Sequence, residues 1–231
     1  MISIIIPVYN QATKLKKTLD SLLQQTEKDF EVVVVDDAST EDIKSIIDEY
    51  KDKFNILKFY RNDVNYRIAS IPRNRGLRHA DGEYILWLDD DVIMKQYMPE
   101  VMKNTLDTNP RVDFVYSSHK FGFKTFRFKQ FDLEDIKKGP CIHTTSMIRR
   151  SSVPAGGWDE DLRRLQDWDF FLRVMLNSGR CKFIDDVLFS YSPGGIMSSW
   201  MPGFVYKCCP FLSKVRKYNE AVAVVREKNG I

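Results

Sequence analysis

Nowhere in its 231 residues does the sequence hold an apolar run approaching the roughly 20 residues that cross a bilayer. Its first residues, MISIIIPVYN, carry one short apolar run and no charged flank, which reads as a buried strand rather than a signal peptide. Cysteine is scarce: Cys141, Cys181, Cys208 and Cys209 form no CxxC pair, so zinc has no support. The adjacent Cys208 and Cys209 are poor disulfide partners, and the plain expectation is a reduced, cytoplasmic setting. Charge of one sign is also missing. A net +3 is far from the basic stripe of a nucleic-acid binder, so no nucleic-acid partner is expected. Glycine is absent from residues 7–15 (PVYNQATKL). That excludes a GxGxxG dinucleotide site and counts against the Gly-rich phosphate loop of a nucleotidyltransferase. Repeats and low-complexity linkers are lacking too.

What remains is a chain of 43% hydrophobic and 29% charged residues, long enough to bury a substantial core. Its first ninety residues alternate strand and helix. Ile2–Val8 is a β-branched run closed by a turn. Leu15, Leu19, Leu22 and Leu23 follow at helical spacing, and Phe30–Val35 is a second buried strand ending on Asp36 and Asp37. Ser39 and Thr40 are placed to cap a helix whose inner stripe is Ile43, Ile46, Ile47 and Tyr50. Ile56–Tyr60 is a third strand, Pro72 is placed to start a short helix, and Tyr84–Leu88 is a fourth strand ending on an acidic triplet. Continuous apolar strands alternating with helices predict a mostly parallel sheet covered on both faces, with ligands beyond the strands' carboxyl ends. The second half is less regular. Helices are expected at Tyr97–Leu106 and from Trp168, strands at Val112–Ser117 and Thr144–Ile148, and a half-buried strand or hairpin in residues 121–131.

Polar residues cluster at the predicted strand ends: Tyr9 and Asn10, Asp36 and Asp37, and Asp89, Asp90 and Asp91. Three adjacent carboxylates repel one another unless a cation is present. Mg²⁺ and Mn²⁺ take such oxygen ligands together with substrate phosphates. On an extended segment Asp89 and Asp91 would face the same way. An isolated DDD is equally a solvated acidic turn. Asp36 and Asp37 are candidates either to cap the next helix or to accept hydrogen bonds from a base or ribose, and Tyr9 either joins the core or stacks on a base. Arg67, Arg73 and Arg75 suit a diphosphate, with surface salt bridging as the alternative. Gly76, costly inside a helix, suggests close approach of backbone or ligand. Asp167 and Asp169 flank Trp168 at a helix start, where one can serve as a general base toward an acceptor hydroxyl.

In order along the chain, residues 3–10 (SIIIPVYN), 32–40 (VVVVDDAST), 73–77 (RNRGL), 82–91 (GEYILWLDDD), 156–160 (GGWDE) and 166–169 (QDWD) resemble the segments of glycosyltransferase family 2. The resemblance reaches from Ser3 to about Ser199. It implies a GT-A fold, a Rossmann-like sheet with a smaller acceptor-side lobe. It implies inverting transfer from a UDP-sugar to the hydroxyl of a saccharide or lipid-linked acceptor. It assigns Asp37 to uracil, with Pro7 and Tyr9 lining the base site. Arg67, Arg73, Asp89 and Asp90 fall on the nucleotide-sugar. Asp89 and Asp91 become a DxD pair holding Mn²⁺ or Mg²⁺, with Asp91 on the metal, and Asp167 becomes the catalytic base. Trp158, Asp159, Gln166 and Trp168 fall on the acceptor side. Two features depart from the family: Gln166 stands where Glu is usual, and residues 191–199 (YSPGGIMSS) lack a His that many relatives carry. Ser198, Ser199 or backbone groups are then the alternatives for a further metal or phosphate contact. Residues 1–202 are expected as the catalytic domain, divided at about residue 95. The basic, aromatic tail 203–231, with Trp200 just before it, would pack on the core, self-associate or lie on a membrane. A nucleotidyltransferase acting on sugar phosphates and a non-catalytic carbohydrate-binding protein are the rival readings.

Overall fold

The structure, a computed structural model, describes residues 1–191, 208 and 211–231. In chain order the first-half elements are β1 (Ile2–Val8), α1 (Ala12–Leu23), β2 (Phe30–Asp36), α2 (Ile43–Tyr50), β3 (Leu57–Arg61), α3 (Ser70–His79) and β4 (Tyr84–Trp87). They continue with β5 (Val92–Met94), α4 (Met98–Asp107), β6 (Phe114–Phe121), β7 (Lys124–Phe126), α5 (Leu133–Lys138), β8 (Met147–Arg149), α6 (Gln166–Leu176), β9 (Cys181–Tyr191) and α7 (Ser213–Asn229).

The strands form one sheet in the order β3-β2-β1-β4-β8-β6-β9-β5, with β7 paired to β6. β1 through β4 are all parallel. Beyond β4 the directions mix: β8 runs antiparallel to both β4 and β6, while β9 is parallel to β6 and antiparallel to β5. This is the α/β architecture of a GT-A fold, a curled sheet flanked by helices. Side-chain alternation along the strands explains the two cores. Ile2, Ile4, Ile6 and Val8 of β1, with Val32 and Val34 of β2, face α1, α2 and α4. Ile5, Val33 and Val35 point the other way, into a second core shared with Trp87, Trp158 and α6. Because β1, β2 and β4 are buried on both faces, they read as largely apolar runs, whereas the edge strand β3 is only half-buried and carries Lys58 and Arg61.

Several local expectations are corrected. Asp42, not Ser39 or Thr40, caps α2, its carboxylate accepting from Ser45 N at 3.1 Å. Ser39 Oγ instead accepts from Asn10 N at 2.9 Å, and Asn10 Oδ1 accepts from Thr40 N at 2.7 Å, so these side chains lock the β1 and β2 end loops together. Gly76 serves the sheet rather than a ligand: a Cβ there would lie 2.3 Å from Ile5 Cγ2, so α3 packs directly on β1. Overpacking of that kind costs about 1–3 kcal/mol. Residues 121–131 hold the expected hairpin at their start, where Phe121 of β6 pairs with Lys124 of β7, but no strand past Phe126. Farther on, the backbone folds back where Phe131 N donates to Tyr116 Oη at 2.8 Å. Strands β5 and β9 and helix α5 were not anticipated. Within the tail, Val222, Val225 and Ile231 join the second core, and Lys228 Nζ reaches Asp159 at 2.5 Å and Asp169 at 2.8 Å. Helix α7 therefore packs on the body through one face. Ser198, Ser199, Trp200, Phe204, Tyr206 and Cys209 lie outside the described residues.

Candidate active site

β1 lies between β2 and β4, so the chain enters the sheet near its middle and builds outward on both sides. The crevice at the carboxyl ends of such strands is where an open α/β sheet binds ligands. A cleft of about 700 Å³ opens there, lined by residues of several separate segments. Pro7 is the penultimate residue of β1 and Tyr9 follows that strand, Asp37 follows β2, Asn65 and Arg67 precede α3, and Asp89, Asp90 and Asp91 follow β4. Asp167 of α6, His143 and Tyr191 close the far side. Asn10, Ala38, Arg67 and Leu165, all non-glycine residues in left-handed backbone, sit in the loops that frame this cleft. Such conformations cost free energy and persist where surrounding contacts enforce them.

At the β2 end, the two aspartates divide their roles. Asp36 is fully buried; it accepts from Ser39 N at 2.9 Å and pairs with Arg61, which fixes the turn. Asp37 faces the cleft. Its Oδ1 accepts from Asn62 Nδ2 at 2.7 Å and its Oδ2 from Tyr66 N at 3.1 Å, which orients the carboxylate and leaves lone pairs toward a ligand. Tyr9 is 45% exposed, free of the core, with its ring on the cleft wall.

β4 ends at Trp87, so the acidic triplet is a turn and not an extended strand. Simple alternation fails, and all three residues line the cleft. Buried Thr18 secures the turn by donating to the carbonyls of Asp90 at 2.9 Å and Val92 at 3.0 Å. Burial, then the neighbouring charges of Asp89 and Asp91, push the Asp90 carboxyl up to about 8. Burial and Asp89 also raise Asp91, against the opposing pull of Lys14 at 3.7 Å. Crowded carboxylates raised in this way are a donor set that a hard cation would relieve. Among the described residues, no three His, Cys, Asp or Glu side chains converge as a metal cage. The residues therefore fit a divalent ion held by one or two carboxylates and completed by substrate phosphate oxygens.

Of the three arginines, Arg67 alone lines the cleft. Arg73 is buried: its guanidinium donates to Asp89 at 2.9 Å and to Gln166 Oε1 at 3.4 Å, and lies 4.7 Å over the Trp158 ring. Both terminal nitrogens are thus engaged by the protein, and Arg73 holds Asp89 from outside the cleft lining. Arg75 donates to Asn62 Oδ1 and the Arg61 carbonyl. The set expected to face an acceptor is likewise drawn inward. Trp158 and Trp168 are each 1% exposed; Trp158 stacks on Phe170, and Trp168 donates through Nε1 to Ile136 O. Asp159 pairs with Lys228, and Gln166 Nε2 donates to Leu162 O at 2.7 Å. These four brace the loop and helix behind the cleft.

Asp167 is the member of this segment that reaches the cleft. Leu165, at φ 57°, turns the chain sharply into α6 and directs Asp167 inward. Burial raises its carboxyl above the usual range, opposed chiefly by His143. A raised carboxylate is a stronger base. Asp169, two residues on, points into the protein, where Arg173 and Lys228 neutralise it and Asn229 Nδ2 donates to it.

Sequence reading missed His143, Tyr191 and Phe121, which complete the wall beside Asp167. His143 lies outside any regular element, between Ile142 and Thr144, and no periodicity marks it. Tyr191 ends β9, a strand whose alternation is broken by Asp185 and Asp186.

Residues 3–157 match the family model described as glycosyl transferase family 2. An uncharacterized glycosyltransferase of Methanocaldococcus jannaschii is 30% identical over 205 residues, covering 83% of this chain and 70% of the relative. The poly(ribitol-phosphate) beta-N-acetylglucosaminyltransferase TarS of Staphylococcus aureus is 29% identical over 201 residues, covering 82% of this chain and 35% of TarS. The crystal structure of TarS 1–349 in complex with UDP superposes with a TM-score of 0.75 at 25% identity, covering 97% of this chain and 64% of that one. The chain thus spans about a third of full-length TarS. No helix among the described residues is long and apolar enough to cross a membrane.

Proposed function

The chain belongs to glycosyltransferase family 2, and from that premise we propose that it transfers a sugar from a UDP-sugar to an acceptor hydroxyl, with inversion and with a divalent cation. The observation that carries this reading is the convergence of Asp37, Asp89 to Asp91 and Asp167 on one cleft at the carboxyl ends of β1, β2 and β4. TarS, a relative, is described in complex with UDP, which favours a uracil nucleotide here.

In this reading Asp37 accepts from the uracil base, pre-aimed by Asn62 and Tyr66, while Tyr9 and Pro7 flank the ring. Asp91 and Asp89 would hold Mn²⁺ or Mg²⁺, with the diphosphate completing its ligands. When bound, the ion neutralises charge that develops on the departing nucleoside diphosphate. Arg67 adds positive charge at the rim, and Arg73 keeps Asp89 in position from below. Asp167 takes the proton of the acceptor hydroxyl as that oxygen attacks the anomeric carbon. One displacement gives one inversion. The acceptor is a saccharide or a lipid-linked saccharide. Residues 1–202 form the catalytic body, and the tail is the part through which self-association or a peripheral membrane contact would arise.

The direct test incubates the protein with a panel of UDP- and GDP-sugars and Mn²⁺ and measures released nucleoside diphosphate. Turnover of a UDP-sugar that stops in excess chelator is expected. Equal or better use of GDP-sugars would remove the uracil assignment, and full activity with chelator would remove the metal.

A further inference from the structure

His143 and Tyr191 belong to no role assigned so far, yet they line the cleft beside Asp167. β9 pairs antiparallel with β5 in a register that sets Tyr191 opposite Val92, one residue past Asp91. Both residues line the cleft with Asp89, Asp91 and Asp167. The hydrogen-bond polarity of the pair follows from one contact. The backbone N–H of Thr145 donates to His143 Nδ1 at 3.0 Å. That lone pair is therefore occupied, so a neutral ring carries its proton on Nε2. His143 Nε2 faces the Tyr191 hydroxyl. The imidazole must donate there, and the phenolic oxygen must accept. The phenol's own proton is then turned away from the imidazole. Among the described residues, the Tyr191 hydroxyl has no other hydrogen-bond partner.

The imidazole is held by packing. His119 lies 4.9 Å from it, centroid to centroid, and Phe189 lies 5.4 Å away. His119 is itself stacked between Phe126 at 5.0 Å and Phe189 at 5.2 Å, and burial keeps it uncharged with a pKa lowered to about 3. A rotating or charged ring would lose this geometry.

The gap these groups face lies between the diphosphate end, marked by Asp89 and Asp91, and the base, Asp167. In a nucleotide-sugar that gap holds the sugar. Carboxylates offer only acceptors, whereas sugar hydroxyls both donate and accept. A fixed neutral donor among three carboxylates completes the pattern. Resting on the proposed donor, we infer that Tyr191 donates its phenolic proton to a hydroxyl of the transferred sugar, and that His143 is the positioning residue that sets this polarity.

The test compares Tyr191→Phe, His143→Ala, His143→Gln and the Tyr191→Phe/His143→Ala double variant by calorimetry with Mn²⁺, using UDP, UDP-GlcNAc and UDP-glucose. Tyr191→Phe is expected to weaken the UDP-sugar that wild type prefers by about 3- to 10-fold, the loss of one neutral hydrogen bond. UDP affinity should hold within about twofold on the same scale. His143→Ala should give the same selective loss, and adding it to Tyr191→Phe should cost nothing further, since its effect runs through the phenol. His143→Gln, which keeps an N–H donor, should recover part of the loss. Equal losses for UDP and UDP-sugar, or additive losses in the double variant, would overturn the inference. If His143→Ala fails to fold, Tyr191→Phe and His143→Gln decide alone: a selective sugar loss in the first with recovery in the second supports it, and anything else overturns it. Wild-type protein that binds none of the three nucleotides overturns the donor reading itself, which is a separate and distinguishable failure.

Discussion

At the amino ends of the parallel strands, Glu31 is fully buried and compensated: Ser3 Oγ donates to its Oε1 at 2.6 Å, Asp81 N donates to the same oxygen, and Lys58 Nζ lies 2.6 Å from Oε2. At the carboxyl ends of the same strands, Asp89, Asp90 and Asp91 crowd together with Lys14 and Arg73 as partial relief. Burial opposes ionisation in both places. Around Glu31 the hydrogen bonds and the Lys58 charge overcome it, and the carboxyl is held below the usual range. Around Asp90 and Asp91 burial and like charge win, and the carboxyls rise. One end of the sheet is arranged for the protein's own stability; the other keeps charge unsatisfied until a ligand arrives.

Substitutions at the two ends should therefore separate turnover from stability. The largest effect is expected at Asp167→Asn, which should lower turnover by about 10²–10⁴-fold, the usual contribution of a general base, with UDP affinity unchanged. Asp169→Asn on the same helix should act oppositely. It leaves Arg173 and Lys228 without their buried anion, and chemical denaturation should show a loss of about 3–5 kcal/mol. Equal kinetic damage from both variants would dissolve the distinction between the faces of α6.

Asp91→Asn should cost about 10²–10³-fold in turnover, as expected for one preorganised electrostatic group. The metal-free protein should nevertheless melt at a higher temperature, because a partly buried charge that repels Asp89 is gone. A variant that lost activity and stability together would place Asp91 with Glu31 as a structural carboxylate.

The smallest effect is expected at Glu31→Gln: about 1–3 kcal/mol of stability at neutral pH and little change in turnover per folded molecule. Its sign with pH is fixed by the lowered carboxyl. Glu31 stabilises the fold fully above its ordinary value of 4.5 and ceases to do so as pH falls through the lower folded value. Urea titrations of wild type and variant should therefore differ at pH 7 and converge in strong acid.

The parallel half was legible because buried strands announce themselves as unbroken β-branched runs, so Ile2–Val8 was anticipated to the residue. The acidic triplet was legible as a strand-end cluster, but its conformation was not: only the Thr18 bonds and the β5 pairing make it a turn. Arg73 and Trp158 carried the right residue types for a ligand and went to the interior instead. Their burial depends on α3 and the 156–160 loop meeting across 84 residues, where Asn74 accepts from Trp158 N at 2.8 Å. His143 and Tyr191 were invisible for the same reason, since their contact spans 48 residues and lies on no local pattern. Strand β9 was missed because it is edged with charge and only Leu188 and Phe189 are buried.

The Arg73 bridge also makes the acidic turn optically readable. Its guanidinium lies over the Trp158 indole, and Trp158 meets Trp87 edge-on with centroids 5.1 Å apart. A cation engaging Asp89 draws that carboxylate away from Arg73 and alters the field on a dry indole. Intrinsic emission of the unlabelled protein should then track cation titration, and the coupled indole pair should report the same event in near-ultraviolet dichroism.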